Sequence, residues 1–252
     1  MAQSQQQATP QQQKLPTPST SHLNFATIYE PAEDSFLFLD TLSNTAESAF
    51  LHSRFHKDTD TTRCSQQQAL VVVEVGTGSG VILAFATAHA GRIFGRQDVL
   101  TLGIDVNGIV QADLASVLRR GCVDVLLFNP PYVPTESVPV AEYANEQMAG
   151  FERESQLLAL SYAGGEDGME VTERLLAEVP EVLSARGVAY VLFCARNKAG
   201  ESLMRVMAGE KWRAKTEAEE QWEWAAEVVG RTGGKGGWER LEIWRIWRRF
   251  SS

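Results

Sequence analysis

Cysteine is scarce in this chain. Cys64, Cys122 and Cys194 stand far apart among 252 residues, and none forms a CxxC pair. Three such residues supply neither a disulfide framework nor a structural zinc site, and they point to a reducing compartment. Long apolar runs are missing as well, since no stretch reaches the ~18 residues of a membrane-spanning helix. Positive charge is in deficit, with 23 Lys and Arg against 32 Asp and Glu and a net charge of −9. A bare electrostatic grip on nucleic acid depends on Lys and Arg neutralising phosphates, so direct nucleic-acid binding is not expected. The opening MAQSQQQATPQQQKLPTPST has no apolar core of a secretory leader and no arginine for a mitochondrial presequence. Its Gln, Pro, Ser and Thr read as a disordered tail over residues 1–20. Residues 21–252, in a chain that is 44% hydrophobic, then suit a single domain around one core.

What is present alternates between strand and helix. Tyr29-Glu30-Pro31-Ala32-Glu33-Asp34-Ser35 leads into FLFLDTL with an early proline and acids in the first turn, which predicts a helix with Phe36, Leu39 and Leu42 on one face. Residues 43–69 lack a clear period and read as a frayed helix end followed by a long loop. The β-branched run Ala69–Val75 stops at Gly76-Thr77-Gly78-Ser79-Gly80 and passes into Val81–Ala86, which is strand, glycine turn, helix. Val99–Ile104 ends in Asp105, and Val123–Phe128 ends in Asn129. A helix near 168–183, a strand at Val188–Phe193 and a closing hairpin from Trp222 to Trp247 complete the pattern. The fold class is α/β, a doubly wound, mostly parallel sheet with an antiparallel C-terminal hairpin.

Ligands in such sheets bind at the carboxyl ends of the strands, and three motifs sit there. The first, Glu74-Val75-Gly76-Thr77-Gly78-Ser79-Gly80, is spaced G-x-G-x-G rather than the G-x-G-x-x-G of a dinucleotide fingerprint. With no pyrophosphate to hold, a packed glycine loop suits the nucleoside and amino-acid arm of S-adenosylmethionine. The second is Asp105, placed where a carboxylate can accept hydrogen bonds from ribose hydroxyls. The third, Asn129-Pro130-Pro131-Tyr132, is the most specific. An amide nitrogen is a poor nucleophile because its lone pair is delocalised into the carbonyl. The Asn129 side-chain oxygen and the Pro130 carbonyl can accept both N–H bonds of an NH2 group and aim its nitrogen at a sulfonium methyl. The paired prolines fix φ and bring no competing N–H, while Tyr132 offers a ring face to the planar group.

Several features carry no chemistry in this reading. Gly233-Gly234-Lys235-Gly236 lacks the leading Gly and the Ser or Thr of a phosphate loop, and His52 and His56 lack the Glu of a metalloprotease helix. No metal site is expected. The six tryptophans, all from Trp212 onward, most simply cover the last strands.

On these residues the chain resembles the HemK-type glutamine methyltransferases, in particular the eukaryotic branch that methylates the class I translation termination factor. YEPAEDSFLFLDTL, VVVEVGTGSG, VDVLLFNPPYVPTE and LSYAGGEDGMEVTERLL carry the resemblance. It implies a Rossmann-like seven-stranded sheet in the order 3-2-1-4-5-7-6 and methyl transfer to the glutamine side chain of a Gly-Gly-Gln motif. Ser35, Glu74, Gly76, Asp105, Asp113, Leu114 and Asn129 fall where that family touches its cofactor, beside Gly78 of the same turn. Asn129, Pro130, Pro131 and Tyr132 fall where it holds the substrate amide. The resemblance also implies a small zinc-binding activator subunit on an apolar surface at the edge strand. The expected location, from the reducing compartment that the cysteines indicate, is the cytoplasm, with the nucleus as a second.

Two departures stand out. Only seven residues separate Asp105 from Asp113, too few for the usual helical crossover between parallel neighbours. That implies residues missing here or an altered path, with no helix beside the adenine pocket, and it leaves a non-catalytic scaffold open. The loop at 136–160 is lengthened and carries Glu136, Glu142, Glu146, Glu152 and Glu154 against Arg153, either a solvated loop or a lid that steers a basic protein substrate. An Asn-Pro-Pro-Tyr type segment also serves exocyclic amines, so nucleic-acid adenine and protein lysine stay open as acceptors.

Overall fold

Apolar runs without polar alternation form the centre of the molecule. In the computed structural model, which describes residues 14–55, 68–106, 110–139, 150–213, 222–233 and 240–250, β1 (Leu70–Val75), β4 (Val123–Phe128) and the second half of β5 (Leu183–Cys194) are buried almost throughout. Parallel strands covered on both faces have this character. They lie in one seven-stranded sheet with β2 (Val99–Asp105), β3 (Val110–Gln111), β6 (Trp222–Arg231) and β7 (Leu241–Phe250), in the order β3-β2-β1-β4-β5-β7-β6. The first five strands run parallel and the last two close the sheet antiparallel, as the sequence pattern implies.

Helices cover both faces. Helices α1 (Glu33–Leu42), α2 (Thr45–Phe55), α3 (Val81–Ala88) and α4 (Ala90–Ile93) build one core around Phe38, Leu42, Phe55 and Phe85. Helix α6 (Glu170–Val182) and helix α7 (Ala199–Met207) build the other, around Leu175, Leu176, Val179 and Leu203. Helix α5 (Gly150–Tyr162) buries only Leu157.

Four expectations change. Helix α1 forms, but Phe36 is 43% exposed; the buried face is Phe38, Thr41 and Leu42, with Leu37 and Leu39 beside it. Residues 45–55 form α2 instead of fraying, because Leu51 and Phe55 pack inward while the inward Glu47 is satisfied by Arg245 at 2.9 Å. The second half of the acidic segment at 136–160 is helix α5, whose Glu152, Arg153 and Glu154 are exposed; Glu142 and Glu146 lie outside the described residues, as do His56, Cys64 and Lys235. Within the tail expected at 1–20, Leu15 packs against the first core and the Pro16 carbonyl lies 2.9 Å from His89 Nε2.

Strand β3 amounts to two residues, paired parallel as Ile104↔Val110 and Asp105↔Gln111, and begins five positions after β2 ends. The rest of the outer side of β2 has no strand beside it among the described residues, and Leu100 there is 59% exposed.

Candidate active site

Strand register assembles the site. Val75 is level with Ile104 on one side and with Phe128 on the other, so Gly76, Asp105 and Asn129 leave three adjacent strands in one row. Each is the first residue past, or the last residue of, a strand whose carboxyl end opens on the same rim.

The glycine turn is shaped by backbone conformation. Gly76, Gly78 and Gly80 all have positive φ, at 66°, 50° and 70°, where side chains with a Cβ are disfavoured. Gly76 N–H and Thr77 N–H both donate to the Ile104 carbonyl, and Gly78 N–H donates to Asp105 Oδ2 at 2.9 Å. Asp105 therefore pins the turn to the end of β2. Glu74, only 2% exposed, accepts the Leu83 N–H of the first turn of α3 at 3.0 Å. Burial pushes its carboxyl well above the usual carboxylate range, the Leu83 N–H pulls it back, and nearby Asp105 pushes it further up.

Asn129 is held by a residue that the sequence reading treated only as a helix-start acid. Asp34, buried on α1, accepts Asn129 Nδ2–H at 3.1 Å through Oδ2 and the Ser35 N–H at 2.6 Å through Oδ1. A carboxylate only accepts, so the nitrogen end of the amide faces Asp34 and Oδ1 is turned the other way. That Oδ1 is buried and has no hydrogen-bond partner among the described residues. An unmet buried acceptor costs about 1–3 kcal/mol and is what a bound N–H donor would satisfy.

The segment after Asn129 is braced from behind. Val133 N–H donates to the Tyr162 carbonyl, Gly164 N–H to the Val133 carbonyl, and Thr135 N–H to the Gly165 carbonyl. Asn197, buried at the end of β5, donates from Nδ2 to the Tyr132 carbonyl at 2.7 Å and reaches the Gly168 carbonyl at 3.4 Å. Gly168 is required at φ 69°, because a Cβ would sit 2.2 Å from the Tyr132 oxygen. Nothing in the sequence singles out Asn197; its role depends on Tyr132 lying beside it in the fold.

The remaining predicted residues separate into two groups. Ser35 is buried next to Asp34, with its hydroxyl 3.3 Å from Oδ1 of the carboxylate whose Oδ2 holds Asn129, and so joins Asn129. Asp113 is largely exposed and pairs with Arg174 of α6, while Leu114, at φ 51°, is buried in the second core. No described contact links these two to the glycine turn. Among the described residues there is no group of His, Cys, Asp or Glu able to hold a metal, and no helix is long and apolar enough to cross a membrane.

Strand order, antiparallel closure and a site at the carboxyl ends of β1, β2 and β4 together define the Rossmann-like class of S-adenosylmethionine-dependent methyltransferases. No protein-family model matches the sequence. Individual relatives do. The chain is 32% identical over 211 residues to the eRF1 methyltransferase catalytic subunit mtq2 of Schizosaccharomyces pombe, covering 73% of this chain and 81% of that protein. It is 29% identical over 216 residues to methyltransferase HEMK2 of Homo sapiens, covering 76% and 84%. The solved E. cuniculi Mtq2–Trm112 complex, described as responsible for methylation of the eRF1 translation termination factor, contains a chain of the same fold. It superposes with a TM-score of 0.50 at 22% identity over 87% of this chain and 98% of that one. The chain belongs to the Mtq2 and HEMK2 family of methyltransferases.

Proposed function

We propose that the chain transfers a methyl group from S-adenosylmethionine to the side-chain nitrogen of the glutamine in the Gly-Gly-Gln motif of the eukaryotic termination factor. The observation that carries this is Asn129 Oδ1, a buried acceptor without a partner, oriented by Asp34 at the end of β4. The identity to the eRF1 methyltransferase of Schizosaccharomyces pombe supplies the acceptor protein.

The residues present fit the cofactor. Two acids, Glu74 and Asp105, and a turn of left-handed glycines border the rim, without a Lys or Arg among them to meet a pyrophosphate. Asp105 would take the hydroxyls of a ribose, Gly76 and Gly78 the close approach, and Ser35 and Asn129 the methyl-bearing end, with buried Glu74 bracing the turn from behind through the Leu83 N–H. When bound, S-adenosylmethionine supplies an electrophilic methyl on a sulfonium. Asp113 and Leu114 belong to the same assignment on resemblance alone.

The chain's own residues act on the acceptor. Asn129 Oδ1 and the Pro130 carbonyl take the two N–H bonds of the glutamine amide, which fixes its plane and draws electron density toward nitrogen. Tyr132 would lie along the amide face; the nitrogen gains its N–C bond as the methyl parts from sulfur, which leaves as a neutral thioether, and the surplus N–H proton passes to solvent. Asn197 and Gly168 keep the Tyr132 carbonyl in place and hence the whole tetrapeptide.

A small activator subunit is supported by the Mtq2–Trm112 assembly of the structural neighbour. We place it on the open side of β2, where among the described residues the two-residue β3 pairs with Ile104 and Asp105 alone and where Leu100 is exposed. A zinc ion in that subunit rests on the resemblance alone. Labelled S-adenosylmethionine offered with a glutamine peptide, a lysine peptide and an adenine oligonucleotide tests the acceptor class. Label on glutamine supports the assignment, and label on lysine or adenine at a comparable rate refutes it.

A further inference from the structure

A cavity of about 320 Å³ adjoins the Asn-Pro-Pro-Tyr segment on the side of β5. Tyr132, Val133 and Pro134 form one part of its lining; Asp167, Asn197 and Lys198 form another. Its volume lies at the lower end of the range for ligand pockets, roughly 300–1,000 Å³. Glu74, Gly76, Gly78 and Asp105 do not line it, so it is separate from the glycine turn and abuts the amide-holding residues through Tyr132.

Backbone conformation marks two of its charged residues. Among the described residues, three that are not glycine have positive φ, and two of them are Asp167, at 53°, and Lys198, at 52°. A lysine in the left-handed region is an uncommon and mildly costly choice where glycine would be relaxed. Such positions persist where the surrounding structure holds them, and they cluster at sites that bind ligands. Here the holding is visible: buried Asn197, next to Lys198, donates to the Tyr132 carbonyl and reaches the Gly168 carbonyl, next to Asp167. One side chain thus ties both charged turns to the tetrapeptide. Asp167 and Lys198 are themselves exposed, and among the described residues neither has an ion pair or side-chain hydrogen bond that would explain its charge as structural.

We propose that this cavity is the subsite for the stretch of substrate polypeptide next to the methyl-accepting glutamine. Lys198 donates to a main-chain carbonyl of that stretch and Asp167 accepts a main-chain N–H. The subsite deepens, and rests on, the protein-glutamine assignment above.

The test uses the full chain purified with its activator, and two acceptors: a glutamine peptide with glycine neighbours, and N-acetylglutamine amide, which has no neighbours to bind. Lys198→Gly removes the ammonium and relaxes the backbone, so its melting temperature should equal or exceed that of the original chain. Asp167→Asn removes charge while keeping a side chain that tolerates positive φ. Each variant is expected to raise KM for the peptide about tenfold, as for loss of one charge-assisted hydrogen bond, with kcat changed little. Lys198→Arg should recover part of the loss, and the effect should be confined to the peptide. Unchanged peptide KM in both variants, or an equal loss on both acceptors, overturns the subsite while leaving glutamine transfer standing. Failure of the unmodified protein to methylate either acceptor overturns the glutamine assignment itself.

Discussion

Among single residues, the direction in which one amide points decides the chemistry. Asp34 sets the direction of Asn129, so removing the acceptor and removing its orienter should both lower turnover. Asn129→Ala is expected to cut transfer by on the order of 100-fold or more, with S-adenosylmethionine binding by calorimetry retained. Asp34→Ala should lower kcat in the same direction while Asn129 remains, and an unchanged kcat would show that the pair is only structural. Glu74 gives a pH signature. Its carboxyl is raised in the folded chain, so the fold binds that proton more tightly than the unfolded chain does. Ionising it therefore costs stability as pH climbs past the usual carboxylate range, and the full cost is present above the folded pKa. Glu74→Gln keeps an acceptor for the Leu83 N–H and removes the cost, so its advantage in melting temperature without cofactor should grow with pH. A pH-independent difference would contradict that. Asn129 was legible in the sequence because two prolines and a tyrosine follow it at a strand end. Asp34 was not, because its partner lies 95 positions away.

Elements were legible where hydrophobic pattern and function coincide. Strands β1 and β4 announce themselves as apolar runs, and their register alone puts Gly76 beside Asn129. Helix α2 escaped notice because Glu47 and Ser48 occupy inward positions that a periodicity argument assigns to apolar side chains. The fold meets that charge from the far end of the chain: Arg245 on β7 contacts Glu47 and Glu227, lies 3.6 Å from the Phe50 ring centroid, and leaves Glu47 bonded to the buried Tyr190 hydroxyl at 2.8 Å. Arg245→Met should destabilise by about 3–5 kcal/mol in denaturant unfolding, since it strands a buried carboxylate. Adding Glu47→Leu should recover most of that, and no recovery would show that packing, not charge, is at stake. The link to β3 was legible as too short for the usual crossover between parallel neighbours, and the strand it leads to pairs through only two residues.

For the whole molecule, the antiparallel hairpin was readable from the sequence pattern and the sheet order from the resemblance, whereas the open side of β2 became visible only in the fold. Leu100→Lys should reduce co-purification with the small activator without lowering the melting temperature of the chain itself, because Leu100 buries little in the domain. An unaffected yield of the complex would move the partner elsewhere. The charge of −9 agrees with a protein acceptor and offers little to a phosphate backbone. The most direct test of the central claim offers the termination factor, with labelled S-adenosylmethionine, to the chain and its activator, and maps the label by mass spectrometry. The expected result is one methyl group on the side-chain nitrogen of the Gly-Gly-Gln glutamine, lost when that glutamine is replaced and lost again with Asn129→Ala. Label that persists on the factor without that glutamine would contradict it.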